Sequence, residues 1–291
     1  LPEERRGDYF AQVAACRLGA RRLEVLGSAH GVDTLLAAYD EIISRTEMRV
    51  RRAIATIPSG DYVFEDVLDG DGQGAENIPI QLRITVNGER ITFDFTGTAR
   101  QVAGNINCPL NQTMAAVAYT IKALLDPKVP NNQGILNALE FVTEEKSLVN
   151  CAFPAAVAFR VQTTQRIVDA VIGALAPALP KMVIGAGNGA STTAIFSGID
   201  PRTGEPYLYL ETYGGGSGAR AWKDGKDAVQ VHIANTANLP VENIETEYPL
   251  LVEEYRLAED TAGAGRYRGC LLYTSDAADD TPCVDLGGRR I

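Results

Sequence analysis

Between Ile80 and Phe95 the chain alternates apolar and polar residues in two runs, Ile80, Leu82, Ile84 and Val86, then Ile91, Phe93 and Phe95, with Asn87-Gly88 between them. Alternation with a period of two marks half-buried strands. Asn-Gly supplies the two positive φ angles of a type I′ turn, so the runs must pair as a hairpin. One face of that hairpin is wholly apolar and needs a cover. Helical spacing supplies candidates on both sides. Phe10, Val13, Ala14, Leu18 and Leu26 recur at near-helical intervals, with Gly27 suited to a helix end. Val32, Leu35, Leu36, Tyr39, Ile42, Ile43, Val50 and Ile54 share one helical face, which Pro58-Ser59-Gly60 terminates. These two stretches predict a helical hairpin over residues 1–60, packed against the rest. A third helix carries Met114, Val117, Ala118, Ile121, Leu124 and Leu125 and halts at Asp126-Pro127. A fourth, capped by Thr163 or Thr164, carries Ile167, Val168, Val171, Ile172 and Leu175. Further strands are predicted at 62–64, 139–143, 192–196, 207–212, 229–233 and 250–257. Helices and strands come in blocks without regular alternation, so the fold class is α+β, a helical hairpin followed over 61–269 by mixed, mostly antiparallel sheet lobes with packed helices.

Charge and cysteine usage narrow the function. The chain of 291 residues has a formal net charge of −10, with no basic stripe interleaved with aromatics, which argues against nucleic acid or an anionic membrane as partner. No apolar run approaches the ~20 residues that span a bilayer. Arg45, Arg49, Arg51 and Arg52 cluster, but they alternate with Glu41 and Glu47 at helical spacing and read as a solvated face. Five cysteines without a Cys-x-x-Cys pair imply free thiols in a reducing, cytoplasmic compartment and outline no zinc site. Only two histidines, His30 and His232, are present, so chemistry built on several imidazoles is excluded for this chain alone. The Gly/Asp loop at 69–74 lacks the acidic spacing of a calcium-binding EF-hand.

Three glycine-dense strings stand out: Gly185-Ala186-Gly187-Asn188-Gly189, Gly214-Gly215-Gly216-Ser217-Gly218 and Gly263-Ala264-Gly265. Glycine admits close backbone approach and exposes amides that hold anions, yet each string is also an ordinary turn. None is followed by the Lys-Ser/Thr of a phosphate loop, and none has the strand-to-helix context of a dinucleotide fingerprint. Gly216-Ser217-Gly218 is not a nucleophile elbow. Polar residues at strand ends are the other candidates. Asp94 closes the predicted hairpin, Asn105 and Asn107 follow it, and His232 and Asn235 end a predicted strand. There His232 could donate to a substrate carbonyl, or the Asn and Thr residues could simply cap turns. Glu211 could be a base, a supporting carboxylate or a salt-bridge partner. His30, between two helices, reads as structural.

Taken in order, the strings form a longer pattern. Asp94-Phe95-Thr96-Gly97-Thr98, Asn107-x-Pro109-Leu110 and Leu125-Asp126-Pro127 are followed by Thr164-Gln165-Arg166-x-x-Asp169 and Gly187-Asn188-Gly189. Glu211-Thr212-x-Gly214-Gly215-Gly216, Asn235-Thr236-x-x-x-Pro240 and Glu247-Tyr248-Pro249-Leu250 complete it. In that order and spacing the chain resembles the B-type subunit of the hydantoinase / 5-oxoprolinase family, which also includes large subunits of acetone and acetophenone carboxylases. The resemblance covers residues 2–269. It implies a subunit that works with an A-type partner, which binds ATP and phosphorylates an inert carbonyl, after which the B-type subunit completes ring opening with water, or carboxylation. The substrate implied is a cyclic amide such as a hydantoin or 5-oxoproline. The alternatives are an ATP-dependent ketone carboxylase and a non-catalytic scaffold for the A-type subunit.

The resemblance also implies a divalent metal in the intact subunit, held by a His-x-x-Asp motif and a second His that lie upstream of Leu1. Neither His30 nor His232 sits in such a motif, so this chain is expected to be an incomplete piece that lacks the metal ligands and is inactive alone. Residues 270–291 depart from the family and resemble translated adapter sequence. On this reading His232, Asn235, Asp94 and Glu211 are the candidate contributors to catalysis. Asn188, Asn105, Asn107 and the backbone amides of Gly214, Gly215 and Gly216 are the candidates for substrate binding.

Overall fold

The computed structural model describes residues 2–271 and 273–277. Two helices, α1 (Pro2–His30) and α2 (Val32–Ile54), open the chain and turn at Gly31, whose φ of 81° suits glycine. Three antiparallel strands follow, β1 (Gly60–Gly70), β2 (Glu76–Asn87) and β3 (Arg90–Asp94). After α3 (Leu110–Leu125) and the short α4 (Gln133–Asn137), β4 (Leu139–Val142) joins the sheet parallel to β3, giving the order β1-β2-β3-β4. α5 (Arg160–Leu175) then packs across β1 and β2. The second half holds the hairpin β5 (Thr192–Ile199) and β6 (Pro206–Tyr213), then α6 (Val241–Glu247), β7 (Val252–Leu257) and β8 (Tyr273–Ala277), the last two antiparallel. The arrangement is α+β, as the blocked pattern of periods predicts.

The hairpin is present, with Val86 opposite Ile91 and Ile84 opposite Phe93. Asn87, however, pairs with Arg90 in the ladder, and the turn is Gly88-Glu89, where only Gly88 (φ 59°) has a positive φ. The type I′ turn expected at Asn87-Gly88 therefore does not form. Ile78, Ile80, Leu82, Ile84 and Val86 are all buried, as are Ile91, Phe93 and Phe95. The apolar face lies against α5, where Ile167, Val168, Ala170, Val171, Ile172, Ala174 and Leu175 leave almost no side of the helix wet. Fully burying one such aliphatic side chain is worth roughly 1.5–3 kcal/mol, so α5 is the pivot of the core.

Several boundaries differ from the periodic reading, each for a tertiary reason. α5 begins at Arg160, and Thr163 and Thr164 lie inside it; the Thr163 hydroxyl donates to Ile106 O at 2.5 Å and that of Thr164 to Val161 O at 2.9 Å. Residues 229–233 are irregular backbone ending in a turn at 232–233, not a strand. The arginine cluster is only partly a solvated face. Arg45 pairs with Glu41 on the surface, but Arg49 grips Asp126 after α3 through Nε and Nη2, and Arg51 donates to Asn137 O at 2.8 Å. Local spacing shows the i, i+4 partners and hides those the fold brings.

The hairpin of α1 and α2 is not packed against the rest along its length. Among the described side chains of α1 every one except Gly27 is exposed, Tyr9, Phe10 and Leu18 included. On α2 the apolar stripe is covered only in its later turns, where Thr46, Val50 and Ile54 are buried. Asn132 secures that end: it caps α4 by accepting from Gly134 N at 2.9 Å and donates to the Thr46 hydroxyl at 2.8 Å. Cys16, Cys108, Cys151 and Cys270 are free thiols. Of the stretch from residue 270 onward, residues 278–291, Cys283 among them, lie outside the described residues.

Candidate functional site at two interlocked glycine loops

β6 runs straight into Gly214-Gly215-Gly216-Ser217-Gly218, and this string lies against the 185–189 string. Gly185 N donates to Ala219 O at 2.8 Å, and Asn188 N to Gly216 O at 3.2 Å. A Cβ at Gly218 would sink into the Gly185 carbonyl, and one at Gly215 into the Asn188 side chain. Two strings that each look like a turn are therefore one unit that only glycine can close. The Asn188 side chain is held in place by donating to Ala190 O at 3.0 Å and to the Thr192 hydroxyl at 3.2 Å. Gly216 N donates to Val229 O at 3.0 Å, which removes that amide from those expected to serve a ligand.

His232 follows in the turn tied to this unit. Its backbone has a φ of 54°, uncommon for a residue with a side chain, and its ring is 3% exposed. His232 Nε2 lies 2.8 Å from Asp169 Oδ1 on α5. Asp169 Oδ2 accepts from Arg166 Nη1 at 2.9 Å, and Arg166 donates through Nε at 2.7 Å and through Nη2 to Asp66 on β1. Gln165 Nε2 donates to Val231 O at 3.2 Å, while Gln165 Oε1 is buried without a protein partner. Gln162 exchanges two hydrogen bonds with Ser191, at 2.9 and 3.0 Å. Gln162, Gln165, Arg166 and Asp169 share one helical face, so α5 gathers the second-half loops through a single polar stripe. Reading residues singly missed Asp169, Arg166, Gln165 and Asp66. Polar residues at i, i+3, i+4 and i+7 of an otherwise apolar helix were the available signal.

The other predicted residues fall elsewhere. Asp94 accepts from Thr96 N at 2.9 Å and borders a cavity of about 490 Å³ with Glu65, Gln81 and Arg83. The register pairs Asp94 with Arg83 and Asp66 with Ile80, so Asp94 is on the sheet face opposite Asp66. Asn107 is fully buried and saturated by backbone: it accepts from Val102 N at 2.8 Å and donates to Val102 O, Gly104 O and Ala156 O, each at 2.9 Å. Nothing is left of that side chain to hold a substrate, which corrects its expected role. Asn105 is exposed, and its carbonyl accepts from Phe159 N at 2.9 Å at the approach to α5. Glu211 is buried and accepts from the Tyr209 hydroxyl, not from His232. Burial, then the hydrogen bond to Glu211, raise the Tyr209 phenol far above its ordinary value; burial and then the charge of Glu211 push Tyr255 up to about 12. Asn235 is exposed, and the neighbouring Thr236 hydroxyl is 3.1 Å from that of Thr212 at the end of β6. The structure thus unites Asn188, Gly214, Gly215, Gly216 and His232 and leaves Asp94, Asn105 and Asn107 apart. Among the described residues, no group of three or more His, Cys, Asp or Glu side chains is placed to hold a metal ion.

An α+β chain whose polar chemistry is collected by one buried helix at two interlocked glycine loops is the class these features define. The chain belongs to the Hydantoinase B/oxoprolinase family, whose model matches residues 1–276. The B-type component of a candidate D-/L-hydantoinase of Pseudomonas sp. is 36% identical over 98% of the chain, and the chain spans half the length of that relative. Among solved structures, the ATP-dependent caprolactamase from Pseudomonas jessenii superposes with a TM-score of 0.81 at 24% identity, covering 94% of this chain and 48% of that one. Nucleotide-free acetone carboxylase superposes with a TM-score of 0.74 at 16% identity, covering 90% and 37%. These likenesses establish a shared fold.

Proposed function

We propose that this chain is part of the B-type subunit of an ATP-dependent hydrolase that opens a cyclic amide such as a hydantoin or 5-oxoproline. The observation that carries the reading is the seating of His232 on Asp169 beside the interlocked glycine loops, in a chain 36% identical to the B-type component of a candidate hydantoinase. An amide or ureide carbonyl is a poor electrophile, so a hydrolase for a stable ring gains from phosphorylation of that oxygen by an A-type partner that binds ATP. What remains is to hold the ring, deliver water and move a proton. His232 is the group suited to the proton. The amides of Gly214 and Gly215 are suited to donate to polar oxygens, and Asn188, whose amide hydrogens go to Ala190 O and the Thr192 hydroxyl, keeps its Oδ1 to accept from a ring N–H. Asn235, exposed on the same turn, is within the segment that a ring would meet.

The site is proposed to work in the cytoplasm, within a complex of A-type and B-type subunits. The test is ATP-dependent ring opening by the A-type partner with the B-type subunit that contains this sequence, assayed with hydantoin, 5-oxoproline and a lactam. Because acetone carboxylase shares the fold, bicarbonate with a ketone is the parallel assay; turnover only there would replace hydrolysis by carboxylation. The chain by itself with an A-type partner is expected to be inactive, and ring opening by that pair would refute this. Substitutions at His232, Asn235 and Asn188 that all left turnover intact would favour a scaffold role.

A further inference from the structure

The helix motif Gln165-Arg166-x-x-Asp169 has so far been given no role beyond seating His232. We propose that Asp169 is the positioning residue of His232: it fixes the imidazole as the Nε2–H tautomer and leaves Nδ1 as the nitrogen that accepts a proton or a hydrogen bond from the reacting system. The inference rests on the reading of His232 as the proton-handling group.

The geometry carries it in three steps. A carboxylate oxygen accepts and does not donate, so the 2.8 Å contact between Asp169 Oδ1 and His232 Nε2 places the ring hydrogen on Nε2. Asp169 cannot turn away, because its other oxygen accepts from Arg166 at 2.9 Å and Arg166 is itself clamped on Asp66 through two nitrogens. The ring cannot flip freely either. Its side chain is 3% exposed, its backbone is held in the left-handed region at φ 54°, and Gln165 grips the preceding carbonyl, Val231 O, at 3.2 Å. Two carboxylates and one guanidinium leave a single negative charge beside the ring, which matches the positive charge the imidazole gains when Nδ1 takes a proton. The same logic of a carboxylate holding a histidine tautomer operates in hydrolytic triads.

The test uses the chain as it stands. With only two histidines, labelling the imidazole nitrogens with nitrogen-15 gives two ring systems, and a His30→Gln variant assigns them. In the neutral ring of His232 the expected spectrum shows a protonated Nε2 and a bare Nδ1. Asp169→Asn, whose amide offers both a donor and an acceptor, is expected to abolish that preference, and Asp169→Glu to restore it. A His232 ring with its hydrogen on Nδ1 overturns the proposal, and so does an Asn variant that keeps the original tautomer. If the Asn variant does not fold, the wild-type spectrum alone decides between the two tautomers. Because the readout is a tautomer and not turnover, it stands apart from whether the complex opens a cyclic amide.

Discussion

Glu211 shows how one buried charge sets the behaviour of its neighbours. It is 5% exposed, and the phenol of Tyr255 responds to burial first and to that carboxylate second, reaching about 12. An unfolded tyrosine titrates near 10, so the folded state binds this proton more tightly. The resulting stability is complete below pH ~10 and is lost as pH rises towards ~12. A spectrophotometric phenolate titration should therefore resolve a late-ionising class, and Glu211→Gln should move part of it to lower pH. A single class of tyrosines near 10 would contradict this. Thiols divide in the same way. Burial pushes Cys108 up to about 11 against the opposing hydrogen bond from Thr113, whereas Cys16 is exposed on α1. Iodoacetamide at neutral pH should modify Cys16 and spare Cys108 until the chain unfolds, as mass spectrometry of the peptides would show.

At the scale of elements, α5 and the glycine loops are the parts whose loss would be felt. Gly218→Ala puts a methyl group into the Gly185 carbonyl, and backbone cannot yield as a side-chain tip can. A loss of roughly 1–3 kcal/mol in a urea titration is expected, while an unchanged midpoint would show that the loops are not interlocked. Arg166→Ala strands Asp66 and Asp169 in a largely buried place, for which about 3–5 kcal/mol is the usual cost. The hairpin of β2 and β3 was legible from its alternating period and its glycine, although the turn falls one residue later than expected, on Gly88-Glu89. Residues 229–233 mimic a strand because Val229, Val231 and Ile233 alternate, but Val231 gives its carbonyl to Gln165 and not to a neighbouring strand. His232 and the glycine strings could be picked from residue type and context. Their connection could not, since Asp169 is 63 positions away and nothing local marks it as the partner. Asn107 misled for the opposite reason: a polar residue after a strand can be wholly absorbed by its own loop.

The whole molecule is uneven. Its core is sealed around α5, while α1 and the early turns of α2 leave Tyr9, Phe10, Leu36 and Ile42 in water. No described helix is long and apolar enough to cross a membrane. Hydrogen exchange should separate the two regions, with α1 amides exchanging through local opening and α5 amides only through global unfolding. Equal protection of both helices would be inconsistent with this architecture. The chain spans half the length of its hydantoinase-type relative.

The most direct measurement is ATP-dependent ring opening by the A-type partner with the B-type subunit that carries this sequence, comparing wild type with His232→Gln at saturating substrate. A loss in kcat of about 100-fold or more is predicted, the range for removing a general acid or base, with little change in thermal stability. Equal turnover by the two proteins would contradict the assignment of His232 and of the site around it.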